Sequence, residues 1–197
     1  MLFAMLDEAM PADHQGIYYV VAAAVVIGDQ EEARQAASAV IANPRRTLPF
    51  HWYREGTRAR DGITECLVTM GAVAHVCVHY PTGRHKQAAA RERGLEVVVP
   101  RLVHDGVDEL LIESRRDFND ERDERVISRV LDGIGRPDAL ACGWHTKAEP
   151  LLWFADALCG IVSDYLLRGS SPHYERLCAN SVISEPVYTN ESVSTHA

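Results

Sequence analysis

Residues 151–162 read Leu-Leu-Trp-Phe-Ala-Asp-Ala-Leu-Cys-Gly-Ile-Val, a helical stretch that is apolar almost throughout and carries one charge, Asp156. A helix this apolar packs inside a fold. Taking an isolated carboxylate in with it is costly unless a partner, a proton or a cation compensates. Two other apolar segments end in the same way: Met1–Leu6 runs into Asp7 and Glu8, and Leu110–Ile112 runs into Glu113. Three apolar elements that each deliver a carboxylate predict one acidic site assembled within the fold. The usual reason to build such a site is a hard divalent cation held by oxygen ligands.

The elements around these carboxylates can be read in chain order. Met1–Leu6 is an opening strand, Pro11–Gly16 a polar turn and Ile17–Ile27 a long buried strand, together an antiparallel hairpin. Asp29 is placed to cap a helix through about Ala42, with Glu31 and Glu32 in its first turn. Asn43-Pro44 stops that helix, and Leu48–Tyr53 reads as an irregular or short extended stretch. Asp61 is a cap for a helix over Gly62–Met70, and Val73–Tyr80 is a strand turned by Pro81-Thr-Gly83. A helix follows at Arg84–Arg93, while Val97–His104 fits a continuation of it or a short strand equally well. Val107–Glu113 is a strand, Asn119–Ile134 a charged amphipathic helix, Ala139–Gly143 a short strand and Leu151–Arg168 the apolar helix. Strands that first meander and then alternate with helices predict an α/β fold with a mixed sheet flanked by helices. Residues 1–178 are expected to form this single domain, and the polar segment 179–197 a flexible tail.

With 197 residues the chain has room for one sizeable core and is short for two. An apolar share of 47% and a charged share of 24% exclude general disorder. The net charge of −8 excludes a protein whose whole surface grips nucleic acid, but leaves room for local basic patches. The five cysteines are scattered, odd in number and without CxxC or zinc spacing, so reduced thiols and a cytoplasmic location are expected. The N-terminus lacks the charged region and cleavage site of a signal peptide, and the apolar run at 17–27 is too short to span a membrane. Without a glycine-rich phosphate loop, a GxSxG elbow or an HExxH pair, P-loop hydrolysis, hydride transfer and zinc proteolysis have no support.

An acidic residue closing a first strand, another closing a later strand and a third on a terminal helix resemble the ribonuclease H-like nucleases. More closely, the chain is similar to a widespread bacterial family of unknown function with that fold, whose members open on Asp-Glu-Ser-Gly and carry an Ala-Asp before a small, apolar helix. Here the first motif stands as Asp7-Glu8-Ala9 and the second as Leu151-Leu-Trp-Phe-Ala-Asp156-Ala-Leu-Cys-Gly160, over roughly residues 1–168. Ala9 and Met10 replace the serine and glycine, and Glu113 stands where aspartate is also common. The resemblance implies a ribonuclease H-like mixed sheet in which Asp7, Glu113 and Asp156 bind Mg²⁺ or Mn²⁺, with Glu8 assisting. Two such cations, roughly 3.5–4 Å apart, activate water and steady the leaving oxygen.

Each residue has a competing reading. Asp156 and Asp7 could be buried aspartates satisfied by a backbone amide or an arginine. Glu8 alternates to the other side of its strand from Asp7 and fits a supporting or surface role better. Glu113 could pair with Arg115 or Arg116, and Asp117, Asp120 and Asp123 read chiefly as charges favoured at a helix N-terminus. His51-Trp-Tyr-Arg54, with Arg45, Arg46, Arg58 and Arg60, is the densest basic and aromatic cluster. It reads equally as phosphate and base contacts or as a solvated face with Trp52 in the core. Lys147 and His145 precede the apolar helix and are candidates for charge neutralisation and proton transfer near the site. Arg84, Lys86, Arg91 and Arg93 read as a solvated helix face, and His75 and His79 as strand residues that do not converge.

The leading expectation is a divalent-metal-dependent phosphodiesterase acting on nucleic acid, with Asp7, Glu113 and Asp156 as catalytic metal ligands and His51, Arg54, Lys147 and His145 on the substrate. One alternative is an inactive nucleic-acid or protein binding module that retains the acidic cluster. Another is a structural or regulatory protein in which the carboxylates pair with arginines. No membrane partner is expected.

Overall fold

The computed structural model describes residues 1–14, 16–41, 49–83, 86–115 and 117–190, the side chains of Asp117 and Phe118 excepted. The strands are β1 (Leu2–Ala9), β2 (Ile17–Ile27), β3 (Val73–Thr82), β4 (Glu109–Glu113), β5 (Ala141–His145) and β6 (Val187–Thr189). The helices are α1 (Gln30–Val40), α2 (Thr57–Thr69), α3 (Gln87–Asp105), α4 (Asp117–Gly133), α5 (Leu152–Arg168) and α6 (Pro172–Ala179). A 3-10 turn at Trp52–Arg54 precedes α2. The strands form one sheet in the order β5-β4-β1-β2-β3-β6. β1, β2 and β3 are antiparallel neighbours, while β4, β5 and β6 join in parallel.

Alternation along the strands divides the core. Phe3 and Met5 of β1 and Leu111 of β4 face α5 and the buried sides of α1, α2 and α6. Ala4, Leu6, Leu110 and Ile112 face the other way, onto Leu95, Val98 and Leu102 of α3 and Val126 and Ile127 of α4. The apolar composition of 151–162 now has its physical reason: α5 lies across the centre of the sheet, with Phe154, Ala155, Ala157, Leu158, Ile161 and Val162 all fully buried. Among the described residues no helix is long and apolar enough to cross a membrane.

Several expectations need correction. Asp29 does cap α1, accepting from the amides of Glu31 and Glu32, but Asp61 caps nothing. α2 begins at Thr57, a turn earlier. Val97–His104 continues α3 through Pro100 to a left-handed cap at Gly106, φ 81°. β5 lies two residues later than the expected Ala139–Gly143. The segment 179–190 is not a loose tail: Val182 and Ile183 are buried and Val187–Thr189 adds β6 beside β3. Sequence reading also passed over α6, although Ser171-Pro172 is a helix start and Ser171 accepts from the Tyr174 amide. Arg45, Arg46, Arg84, Arg116 and residues 191–197 lie outside the described residues.

The face beneath α3 and α4 carries a buried ion network. Arg91 is 1% exposed, so it is not part of a solvated helix face. Its guanidinium pairs with Glu8 and with Asp123 (Nη2 to Oδ2, 2.8 Å). Arg115 closes the square, 3.1 Å from Glu8 and 3.3 Å from Asp123. Burial alone would drive the proton off Arg91, yet Glu8 and Asp123 bind it more firmly than usual.

Replacing Arg91 by leucine leaves Glu8 and Asp123 buried with only Arg115, and the expected loss is about 3–5 kcal/mol in chemical unfolding. At Gly94 of α3 an added Cβ would lie 2.8 Å from the Val21 Cβ of β2. Gly94→Ala gains about 1 kcal/mol of helix propensity but overpacks at a cost of about 1–3 kcal/mol. The expected result is a lower Tm by calorimetry.

Candidate active site

Leu6 and Ile112 are the last matched residues of the parallel pair β1 and β4. One step beyond, Asp7, still paired with Ala22 of β2, and Glu113, paired with His145 of β5, stand side by side with their side chains on the face of Met5 and Leu111. α5 crosses this point, and the Cys159 thiol donates to the Asp7 backbone carbonyl at 3.3 Å. Asp156, one turn before Cys159, is thereby brought over the strand ends. The three carboxylates are close enough to act on one another. Burial, then Glu8, Glu113 and Asp156, push the Asp7 carboxyl well above its ordinary range. Burial raises Glu113 as well, opposed by Lys147 and reinforced by Glu8 and Asp156. Asp156 is raised by burial against the pull of the Trp52 amide, His51 and Lys147.

Each acid has a different companion. Among the described residues the Asp7 carboxylate accepts the amide of Glu8 (2.7 Å), and no cationic side chain pairs with it. Asp156 Oδ2 accepts the Trp52 amide at 2.7 Å. Its Oδ1 is 3.8 Å from His51 Nδ1, which is buried and has no hydrogen-bond partner among the described residues. Glu113 Oε1 lies 3.1 Å from the Lys147 ammonium. Phe50, Leu152 and Trp153 close the apolar side of this cleft, and the Trp153 indole donates to the Lys147 carbonyl at 3.0 Å.

Trp52 holds the arrangement from behind. It is 1% exposed, its indole donates to Asp164 at 2.8 Å, and its ring lies against Gly160, where a Cβ would collide with it. Its carbonyl accepts from Arg60, whose guanidinium also covers the ring at 5.0 Å. Trp52 is therefore a core residue and is not available to stack on bases. Tyr53, Arg54 and Arg58 are exposed beside it.

The structure thus brings Asp7, Glu113, Asp156, Lys147 and His51 together. Glu8 does not join them, because alternation sends it to the opposite face, where Arg91 and Arg115 hold it. Asp123 is in that network too, and Asp120 accepts from Ser114 and the Arg115 amide. Arg115 does not pair with Glu113. His145 is level with Glu113 in the sheet, but its ring folds back against Gly143. Arg54 makes no side-chain ion pair among the described residues. His75 and His79 find separate partners, Asp105 and Thr189. Sequence reading missed the Trp52 amide and the Phe50 and Trp153 walls, since a backbone donor leaves no compositional trace.

The donor set of two buried carboxylates and a partly buried one, mutually repelling, suits a hard divalent cation chemically. Among the described residues, however, no three His, Cys, Asp or Glu side chains are already arranged to coordinate one. A cation would bind here only with side-chain adjustment, Lys147 included.

No known family's sequence profile matches this chain, and no curated protein matches it. Among solved structures, it is similar to a chain in the structure of the PCNA:RNase HII complex from Archaeoglobus fulgidus. The likeness covers 100% of this chain and 98% of that one, with a TM-score of 0.52 and 15% sequence identity. That likeness and the six-stranded mixed sheet with helices on both faces show a ribonuclease H-like fold.

Proposed function

We propose that this chain is a divalent-metal-dependent phosphodiesterase acting on nucleic acid, with Asp7, Glu113 and Asp156 holding Mg²⁺ or Mn²⁺. The observation that carries the reading is the approach of these three carboxylates from β1, β4 and α5, with no arginine among the described residues paired to any of them. A bound cation would supply a nucleophilic water at neutral pH and polarise the phosphoryl oxygen. The chain's own residues do the rest. The Trp52 amide fixes Asp156, the apolar walls exclude water from one side, and the Lys147 ammonium is placed to meet charge developing on the phosphate. Tyr53, Arg54 and Arg58, exposed around the turn whose Trp52 amide holds Asp156, offer a stacking and phosphate surface. The PCNA:RNase HII chain gives the same fold in a nuclease. The bacterial family with the Ala-Asp helix and a cytoplasmic setting, in line with five free cysteines, belong to the same proposal.

A second reading is a non-cleaving binding module. It is favoured by the Lys147–Glu113 pair, which already neutralises part of the cluster.

The raised carboxyls carry a sign that can be checked. A carboxyl whose folded pKa lies above its unfolded value adds stability at low pH and loses it as pH rises through the folded value. Asp7→Asn mimics the protonated form and keeps an acceptor for the Glu8 amide. In chelator the variant is expected to melt higher than wild type at pH 7–8, by about 2–4 °C per kcal/mol of repulsion relieved. The difference should shrink as pH falls toward the ordinary carboxyl value of 3.8. A variant that melts lower at every pH would show Asp7 to be a structural acceptor.

Saturating Mn²⁺, at about a hundred times its Kd, is expected to stabilise wild type by about 2.7 kcal/mol. For a chain this size that is a rise of roughly 5–11 °C. Asp156→Asn should abolish this rise, and should abolish Mn²⁺-dependent cleavage of single- and double-stranded RNA and DNA panels. Metal binding with no cleavage of any substrate would select the binding module.

A further inference from the structure

Of the 20 lysines and arginines in the chain only Lys86 and Lys147 are lysine. The two buried carboxylates of the α3/α4 face, Glu8 and Asp123, are both neutralised by arginines whose guanidinium forks bridge them. On the α5 face the corresponding cation is Lys147. The choice of residue is physical: a guanidinium holds a carboxylate at two points, whereas an ammonium is a point charge on a flexible stem and leaves more easily. Lys147 is also built to move at its tip alone. Its backbone carbonyl is tied to the Trp153 indole (3.0 Å), while its side chain is 48% exposed. Its ammonium touches Glu113 at 3.1 Å and lies within electrostatic reach of Asp7 and Asp156.

We propose that Lys147 is a resident counterion that competes with the divalent cation for Glu113. The inference rests on the metal-site reading above. With no cation bound, the ammonium keeps the three carboxylates tolerable to the fold. When a cation arrives, the ammonium is displaced from Glu113 toward the open side of the cleft, where it is free to meet a phosphate. Cation affinity is then set by the difference between the two cations at one carboxylate. Cation binding and substrate charge become linked through one side chain.

The test is calorimetric titration of the full chain with Mn²⁺ alone, on wild type, Lys147→Met and Lys147→Arg, together with melting in chelator. Lys147→Met is expected to bind Mn²⁺ more tightly by roughly ten- to a hundredfold, the range spanned by changes beside metal sites, and to melt lower in chelator. Lys147→Arg, which grips Glu113 more firmly, is expected to bind more weakly than wild type. It keeps the test open should the methionine variant fold poorly. Equal or weaker Mn²⁺ binding by Lys147→Met, or unchanged binding by Lys147→Arg, overturns the competition while leaving the metal site standing. Heat from none of the three proteins overturns the metal reading and this inference with it.

Discussion

When two parallel strands are paired, residues one step past the last matched pair stand at the same height with their side chains on the same side of the sheet. The pairing of Leu6 with Ile112 therefore decides where Asp7 and Glu113 stand. A slip of one residue would turn Asp7 into the α3/α4 face and bring Glu8 under α5. Every other component follows from that register. α5 must lie across β1 for Asp156 to arrive, Gly160 must be small for Trp52 to fit beneath it, and Trp52 must be there for its amide to hold Asp156. The site is a consequence of strand alignment before it is a matter of chemistry.

The same strand separates two neighbouring charges into different electrostatic environments. Asp7 and Glu8 are adjacent in sequence, yet the pleat sends them to opposite sides. Glu8 meets two arginines in a closed square with Asp123, a permanent neutralisation buried beneath two helices. Asp7 meets other carboxylates, and among the described residues no side-chain cation pairs with it. The fold thus holds one acid as a structural ion and leaves its neighbour among other carboxylates.

The acids themselves were legible in the sequence because Asp7 and Glu113 close apolar strands and Asp156 is the one charge within an apolar helical stretch, a pattern that survives without knowledge of the fold. Alternation also gave the correct side for Glu8. What sits opposite them was not legible. Arg91 stands among Arg93, Glu92 and Glu96 on a helix that looks solvated, and its partner Glu8 is 83 residues away in the chain. Only the sheet register identifies it as the inward residue. The Trp52 contribution was hidden for another reason: the contact is made by a backbone amide, for which any residue would read the same. Lys147 was placed near the site by proximity to α5, but its pairing with Glu113 depends on β5 lying beside β4. The predicted span for β5 was two residues off.

β6 is three residues long and comes from a segment whose composition is polar. It forms because β3 offers an open edge and because Val182 and Ile183, buried just before it, deliver the chain there. This has a temporal consequence. During synthesis the chain is complete through α5 and its acidic residues while the outer edge of β3 is still bare, a template for unwanted pairing. Residues 187–189 pair with Cys77–His79 and make β6 the outermost strand, so the segment that looked least structured is the one that shortens the bare edge of β3.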